Sequence, residues 1–338
     1  MTRVGLSHRR VIIVGAGQSG LAVAAALTYQ GLQPQRDFVV IDAAPPGQRS
    51  WASRWHSMAL LSDAQHSVLP PRRFPGDSRR HPRADEMADY LTVVEAALGV
   101  ETIWGVSAIG VEHPGNGSTL VLSTTRGTVQ TRNVVCATGA AAHPHLPSWS
   151  RSLAVPGVAI HSSQYLYPRQ IPAGDVLIVG GGNSGVQIAE ELAASHHVTL
   201  SVRTPRRERH ASRYPSMAQE TRAWTGRGLI REPIFGNSYE RLRRIGVTIV
   251  EASTGAEGAV VTHADGVRTT PTSVIFATGY ESGDDWLPAI NPGRLRSTTN
   301  MPGLFIAGMP RYGGARVDTI AGVWRDAARI ARYVTDRP

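Results

Sequence analysis

This chain of 338 residues contains no lysine and a single cysteine. All 35 basic residues are arginine, so no side-chain amine is present for Schiff-base chemistry. The lone Cys136 excludes a disulfide framework, a cysteine-based zinc site and a redox pair of thiols. Cys136 ends a run of β-forming residues, which predicts a buried strand position; a reactive thiol is the alternative.

Aromatic residues, runs of one charge and long apolar runs are also scarce. Aromatic residues make up 6% of the sequence, and the formal charge of +9 is not gathered into any run of five basic residues. Nucleic-acid binding is therefore not expected. No apolar stretch reaches the roughly 18 residues of a membrane span, so membrane insertion is not expected either.

The segment Ser7-His8-Arg9-Arg10 before an apolar run looks like a twin-arginine export signal. Such a signal would include the apolar run, so its cleavage would also remove the glycine-rich segment. The glycine spacing explains the same residues better. We therefore expect a cytoplasmic protein, and no metal site is predicted.

The first glycine-rich segment joins a strand to a helix. Residues 11–14 predict a strand buried on both faces, and Gly15-x-Gly17-x-x-Gly20 leads into an Ala/Leu-rich helix. The first glycine makes the turn, the second leaves room for a pyrophosphate, and the third allows close helix packing. The next strand ends at Asp42, 22 residues after Gly20, where a carboxylate can accept hydrogen bonds from a ribose.

The same pattern returns 165 residues later. Residues 175–179 predict a strand, Gly180-x-Gly182-x-x-Gly185 the turn, 186–194 the helix, and 198–202 a strand that ends at Arg203. Each unit is also closed by a strand that runs into Ala-Thr-Gly, at 137–139 and at 277–279. A repeated nucleotide-binding unit is more specific than either copy alone, and it implies electron transfer between two dinucleotides.

The residue that ends the second strand of each unit distinguishes the two dinucleotides. Asp42 favours a free ribose and repels a 2′-phosphate, whereas Arg203 would bind that phosphate through forked, charge-assisted hydrogen bonds. FAD is therefore assigned to the first unit and NADPH to the second. Arg206 and Arg207 either serve the same phosphate or lie on a solvated surface loop.

Other elements are predicted from composition and turn residues. Residues 45–75 hold Trp51, Arg54 and Trp55 in a stretch punctuated by Pro and Gly, which we expect to wrap a ligand. The remaining patterns predict helices over 81–98 and 318–334 and strands over 100–111, 119–123, 128–135 and 303–307.

Together these motifs resemble the class B flavin monooxygenases, which are flavoproteins with two dinucleotide-binding domains. The resemblance covers almost the whole chain. It rests on Gly-Ala-Gly-Gln-Ser-Gly, on Ser50-Trp51 and Arg54-Trp55, and on the two Ala-Thr-Gly turns. The linker motif of that family is matched from Gly157 through His161 to Tyr165, with Val155 in place of its leading Phe.

The resemblance implies an α/β fold of two Rossmann-like domains, with an NADPH domain at 155–280 inserted into a discontinuous FAD domain at 1–154 and 281–338. It also implies an FAD- and NADPH-dependent monooxygenase that forms a peroxyflavin and oxygenates a small soft nucleophile at a sulfur, nitrogen or metalloid centre. The tyrosine at the end of the linker motif favours this heteroatom-oxygenating branch. The partners would be the substrate and O2, and a homodimer is left open.

Two other functions stay open. An NADPH-dependent flavoprotein reductase could pass electrons to a quinone or an iron–sulfur protein, although the single Cys136 argues against a disulfide as the acceptor, because its reduction needs a pair of cysteines. A non-catalytic nucleotide sensor could keep the same fold, but the intact glycine loops and Arg203 argue against it.

The motifs and the resemblance together give a set of candidate site residues. The catalytic candidates are Asn183, His161 and Trp51, for which the structural alternatives are a helix cap, an interdomain contact and a core position. Tyr312 and Arg316, in a loop before the last helix, are further candidates. The predicted cofactor-binding residues are Gly15, Gly17, Gln18, Ser19, Gly20, Asp42, Trp51, Ser62, Gly139, Gly180, Gly182, Asn183, Ser184, Gly185, Arg203, Gly279 and Gly308.

Overall fold

The computed structural model describes residues 9–115, 118–209, 234–235, 238–314 and 316–336. In chain order, the elements before residue 150 are β1 (Val11–Val14), α1 (Gln18–Tyr29), β2 (Phe38–Asp42), α2 (Ala84–Ala97), β3 (Ile103–Trp104), β4 (Ala108–Glu112), β5 (Leu120–Thr124), β6 (Gly127–Thr131), β7 (Asn133–Cys136) and β8 (His143–Pro144). The later elements are β9 (Ala159–His161), β10 (Asp175–Val179), α3 (Asn183–Leu192), β11 (His197–Ser201), β12 (Glu208–Arg209), β13 (Ile234–Phe235), α4 (Tyr239–Arg244), β14 (Thr248–Val250), β15 (Ser253–Glu257), β16 (Val260–His263), β17 (Arg268–Thr269), β18 (Ser273–Phe276), β19 (Tyr280–Glu281), β20 (Leu304–Ile306), α5 (Pro310–Gly313) and α6 (Ile320–Thr335).

The first sheet contains five parallel strands in the order β20-β7-β1-β2-β3. Its central strand, β1, is Val-Ile-Ile-Val and is wholly buried, because one face packs against α1 and α6 and the other against the sheet formed by β4, β5 and β6. Helices α1 and α6 contribute Leu21, Leu27, Val323 and Ile330 to one core beside this sheet. The edge strand β20 comes from near the C-terminus, so this unit is built from two separate segments of the chain.

The second sheet also contains five parallel strands, in the order β14-β11-β10-β18-β9. All of these strands lie between residues 159 and 276, which separate the two chain segments of the first unit. Its core includes Ile178, Val186, Leu200 and Ile275. The predicted α/β fold, with one Rossmann-like unit inserted into another, is confirmed.

The two segments that join the units pair with each other. Strands β8 and β19 run antiparallel, with Tyr280 opposite Pro144. Strand β19 directly follows the second Ala-Thr-Gly turn, and β8 begins shortly after the first. Trp149 and Leu153 already pack on the core of the second unit. These contacts support our proposed domains, 1–154 with 281–338 and 155–280, and they indicate that the first limit lies nearer to β8.

Two predicted strands are wrong in extent. The strand predicted over 100–111 divides into β3, in the first parallel sheet, and β4, in an antiparallel sheet with β5 and β6. The strand predicted over 128–135 divides into β6 and β7, because the chain leaves the antiparallel sheet at Arg132 and enters the parallel one. Both runs have strand-like sequences throughout, and periodicity does not show a change of pairing partner.

Helix boundaries also shift by a few residues. Helix α2 begins at Ala84 rather than at residue 81, because Pro82 accepts a hydrogen bond from the Leu60 backbone and stays extended. Helix α3 begins directly after Gly182, three residues before the predicted start. Helix α6 begins at Ile320, with the Thr319 side chain as its N-terminal cap.

Within the described residues, no helix has the length and apolar character needed to cross a membrane. The same part of the chain contains no group of three or more metal-binding side chains.

Candidate functional site

The first glycine loop is tightly packed at two glycines and open at the third. Gly15 has a φ of +111°, and a Cβ on Gly20 would lie 1.8 Å from the Gly15 carbonyl oxygen. A Cβ on Gly17, in contrast, would have no atom within 4 Å. Gly17 caps α1 without a side-chain hydrogen bond, and no acidic residue occupies the first turn of that helix. The open backbone and the uncapped helix end fit an incoming pyrophosphate.

The second glycine loop repeats this geometry. Gly180 has a φ of +118°, and a Cβ on Gly185 would lie 1.9 Å from the Gly180 carbonyl oxygen. In both loops the first glycine lies against the alanine carbonyl of the matching Ala-Thr-Gly turn. The exposed Arg203 follows β11 after one buried residue. The two units are therefore copies of one nucleotide-binding structure with different side chains at the second strand.

Asp42 is fixed at the end of β2 beside the first loop. One carboxylate oxygen accepts a hydrogen bond from the Ala16 backbone at 2.6 Å, and the other accepts one from Ala44 at 2.8 Å. The carboxylate lines the cavity described next. Its position supports the proposal that Asp42 accepts hydrogen bonds from a ribose.

A cavity of about 810 Å³ extends along the first loop, and we call it the FAD cavity. Its volume lies in the upper part of the usual range for cofactor sites. The predicted site residues that line it are Gly15, Gly17, Gln18, Ser19, Asp42, Trp51, Gly139 and Gly308. The open face of the glycine loop and the size of the cavity fit FAD.

Hydrogen bonds join three walls of the FAD cavity at one end. Trp51 Nε1 donates to Gln18 Oε1 at 2.8 Å, and Gln18 Nε2 donates to the Asp318 carbonyl at 2.7 Å. Gly308 lies so close to Ser19 that a Cβ would be 2.0 Å from its hydroxyl oxygen. The segment that holds Trp51, the start of α1 and the turn before α6 are thus held together around the cavity.

Arg49 is a cavity residue that the sequence analysis missed. Its side chain is 2% exposed and forms an ion pair with Glu95 of α2. Its Nε donates to the Ala16 carbonyl at 3.1 Å, and Nη1 donates to Thr92 at 2.8 Å. The guanidinium therefore supports the first glycine loop from behind. The sequence carries no local signal for this role, because the partners of Arg49 come from another helix and another loop.

His161 lies in the linker between the units and is not among the residues that line the FAD cavity. Its Nδ1 accepts the Ser163 backbone N–H at 3.1 Å, which assigns the proton to Nε2, and Nε2 lies 3.0 Å from the Gly279 carbonyl. Burial lowers the pKa of His161. A neutral imidazole with both nitrogens bonded to the protein supports a structural role in positioning the second Ala-Thr-Gly turn.

Arg54 connects the linker to the FAD cavity. Its Nη1 donates to the Tyr280 hydroxyl at 2.9 Å, and the Tyr280 ring lies edge-on to His161 with ring centroids 4.8 Å apart. Arg54 itself lines the cavity. The cavity wall is thus directly bonded to β19, the segment through which the chain returns to the first unit.

Several predicted residues are not among those that line the FAD cavity. Ser62 is buried and its hydroxyl lies 2.8 Å from the Ser67 hydroxyl, while the Tyr312 hydroxyl donates to Asp284 at 3.1 Å. The carbonyl of Arg316 accepts a hydrogen bond from Thr319. Asn183 and Ser184 form the first turn of α3, within the second loop. The cavity thus gives no support to Ser62, Tyr312 or Arg316.

Cys136 is wholly buried in β7, as predicted. Burial raises the pKa of its thiol to about 11, although the Thr138 hydroxyl at 3.1 Å opposes this. A buried thiol with such a pKa is protonated and unreactive at neutral pH. Cys136 is therefore a structural residue.

Asp326 is a wholly buried carboxylate of α6 behind the Gly308 turn. Its Oδ2 accepts a hydrogen bond from the Gly308 backbone at 3.1 Å, and Arg329 lies 3.7 Å from Oδ1. Burial raises the pKa of Asp326 to about 6, although the Gly308 hydrogen bond, Arg329 and Arg296 oppose this.

We expect Asp326→Asn to change how stability depends on pH. The unfolded chain releases this proton near pH 4 and the folded chain near pH 6, so the folded state loses stability as pH rises through that window. Urea unfolding should show the variant about 3 kcal/mol more stable than the wild type at pH 7.5, with the difference falling to about 0.5 kcal/mol at pH 4. Asp336→Asn, at an exposed position after the same helix, is the control and should follow the wild type. Parallel profiles for Asp326→Asn and the wild type would contradict the assignment.

Comparison with known proteins agrees with this architecture. The family model described as pyridine nucleotide-disulphide oxidoreductase matches residues 12–308. A CzcO-like oxidoreductase from Geobacillus kaustophilus is 29% identical over 347 residues, which cover 94% of this chain and 95% of that protein. Indole-3-pyruvate monooxygenase YUCCA4 from Oryza sativa subsp. japonica is 28% identical over 207 residues, or 56% of this chain and 46% of that protein.

Among solved structures, the flavin-containing monooxygenase from Stenotrophomonas maltophilia superposes with a TM-score of 0.77 and 26% identity. The superposition covers 97% of this chain and 98% of that enzyme. Both glycine loops and the strands β8 and β19 lie inside the matched family region. The chain thus belongs to the pyridine nucleotide-disulphide oxidoreductase family, and it is an FAD-dependent oxidoreductase.

Proposed function

We propose that this protein is a monooxygenase that uses NADPH and O2 to oxygenate a small soft nucleophile at a sulfur, nitrogen or metalloid centre. The observation that carries the proposal is the similarity over nearly the full length of both chains to the flavin-containing monooxygenase from Stenotrophomonas maltophilia. Cys136 is buried and its thiol is protonated, so it cannot pass electrons to a disulfide substrate.

Bound FAD would supply the redox chemistry, because it can take two electrons from NADPH and pass them to O2. The chain's own residues hold and enclose the reacting ring. Gly17 and the start of α1 bind the pyrophosphate, and Asp42 orients the ribose. Trp51 and Gln18 close one end of the cavity through their hydrogen bond and limit the access of water.

The preference for NADPH over NADH rests on Arg203. It lies one residue beyond Val202, the position equivalent to Asp42 in the first unit, and its side chain is exposed to receive a ligand. A guanidinium there would pair with the 2′-phosphate that distinguishes NADPH, whereas an acid would repel it. Tyr165, at the end of the linker motif, supports a heteroatom as the oxygenated centre.

The test is oxygen transfer under 18O2. The FAD-loaded protein is given NADPH and, separately, an aryl methyl thioether, a tertiary amine and arsenite. We expect at least one product to gain one 18O atom for each NADPH consumed, with little hydrogen peroxide. If all 18O appears as peroxide and a quinone accelerates NADPH oxidation instead, the protein is the alternative flavoprotein reductase.

A further inference from the structure

The second glycine loop carries a side chain over its second glycine, and the first loop does not. A Cβ on Gly182 would lie 3.1 Å from Cζ and Nη2 of Arg206 and 3.3 Å from Nη1. The equivalent position in the first loop, Gly17, has no atom within 4 Å. The two loops otherwise share their backbone geometry. The guanidinium of Arg206 therefore lies where the second glycine of such a loop leaves room for a pyrophosphate.

Tyr239 fixes the backbone of Arg206 relative to the loop. The buried Tyr239 hydroxyl donates to the Gly181 carbonyl at 2.7 Å and accepts the Arg206 backbone N–H at 3.3 Å. The Tyr239 backbone N–H in turn donates to Glu208 Oε1 at 2.9 Å. One phenol thus joins the glycine loop to the segment that carries Arg206, and this contact keeps the guanidinium near the start of α3.

Arg203 occupies a different place from Arg206. It directly follows the buried Val202, whose methyl groups lie against Gly181, and its own side chain is exposed. Arg206 is half-buried and lies over Gly182. Two arginines three residues apart therefore present their charges to different parts of a nucleotide bound along this loop.

We propose that Arg206 binds the diphosphate of the pyridine nucleotide and that Arg203 alone binds the 2′-phosphate. This assignment rests on the proposed coenzyme site in the second unit. A guanidinium matches phosphate oxygens with paired N–H donors, and the helix end beneath it adds a positive dipole. Because NADH and NADPH share the diphosphate, Arg206 contributes equally to both, whereas Arg203 contributes only to NADPH.

The experiment compares two variants of the FAD-loaded protein, Arg206→Gln and Arg203→Gln, by calorimetric titration. The probes are NADP⁺, NAD⁺, ADP-ribose, which has a diphosphate but no 2′-phosphate, and 2′-AMP, which has only the 2′-phosphate. We expect Arg206→Gln to weaken NADP⁺, NAD⁺ and ADP-ribose by about 10- to 100-fold and to leave 2′-AMP unchanged. Arg203→Gln should weaken NADP⁺ and 2′-AMP and leave ADP-ribose unchanged.

Two further variants test whether folding explains the result. Arg206→Lys keeps the charge without the forked donors, and we expect it to fall between the wild type and Arg206→Gln. Tyr239→Phe removes one hydroxyl and should weaken the binding of ADP-ribose without affecting FAD content.

Equal losses of affinity for ADP-ribose and 2′-AMP in Arg206→Gln, or no loss of affinity, would overturn the role of Arg206. If the wild type binds none of the four probes, the coenzyme site and the proposed function fail together.

Discussion

Gly17→Ala is expected to yield a folded protein that has lost tight FAD binding. The Gly17 backbone has a φ of −75°, which alanine also adopts, and a Cβ there would meet no protein atom within 4 Å. The added methyl group would instead occupy the space of the pyrophosphate and separate it from the N–H groups of α1. Loss of two charge-assisted hydrogen bonds weakens FAD binding by at least about 100-fold. FAD titration of the apoprotein measures this loss.

Two other glycines provide the controls for Gly17→Ala. Gly20→Ala would place a Cβ 1.8 Å from the Gly15 carbonyl oxygen, so it should lower the stability of the apoprotein itself. Gly182→Ala changes the second loop, where the nearest atoms belong to the movable end of Arg206. That variant should keep its FAD and lose reduction by NADPH. An apoprotein of Gly17→Ala that unfolds as readily as Gly20→Ala would show that packing, and not the pyrophosphate, requires glycine at position 17.

The glycine loops could be predicted from the sequence because the constraints that fix them are local. Gly20 must lie against Gly15, five residues away, and Gly185 must lie against Gly180 for the same reason. The buried strands before the loops are equally plain, since β1 and β10 are short apolar runs. The repeat then fixed the fold class, because two such units need two parallel sheets.

The features that could not be predicted depend on contacts between distant segments. The sequence from Ile103 to Glu112 is strand-like throughout. Its first part, β3, pairs with β2 in a parallel sheet, whereas its second part, β4, pairs with β5 in an antiparallel sheet. Arg49 is paired with Glu95, 46 residues away, and Tyr239 meets Gly181 58 residues away. His161 is a further example, because its imidazole is held by the Gly279 carbonyl, which lies 118 residues away in the sequence. Such contacts depend on the assembled fold and leave no local pattern.

Arg49→Met is expected to destabilise the protein by about 3–5 kcal/mol, because it leaves one half of a buried ion pair uncompensated. The Glu95 side chain is only 12% exposed, so water replaces little of the lost guanidinium. The Ala16 carbonyl also loses its donor at 3.1 Å, and the first glycine loop becomes less ordered. We therefore expect weaker FAD binding together with the lower stability. Urea unfolding and FAD titration measure the two effects.

Two comparisons separate the ion pair from the bulk of the arginine side chain. In Arg49→Met/Glu95→Met no carboxylate is left unpaired, so the double variant should be more stable than Arg49→Met alone while its FAD binding stays weak. Arg83→Met breaks an ion pair with Asp85 that is more than half exposed, and it should leave unfolding essentially unchanged. If the double variant is less stable than Arg49→Met, the stability that Arg49→Met loses comes from the packing of the arginine side chain. If FAD binding recovers in the double variant, Glu95 rather than the contact with Ala16 governs the loop.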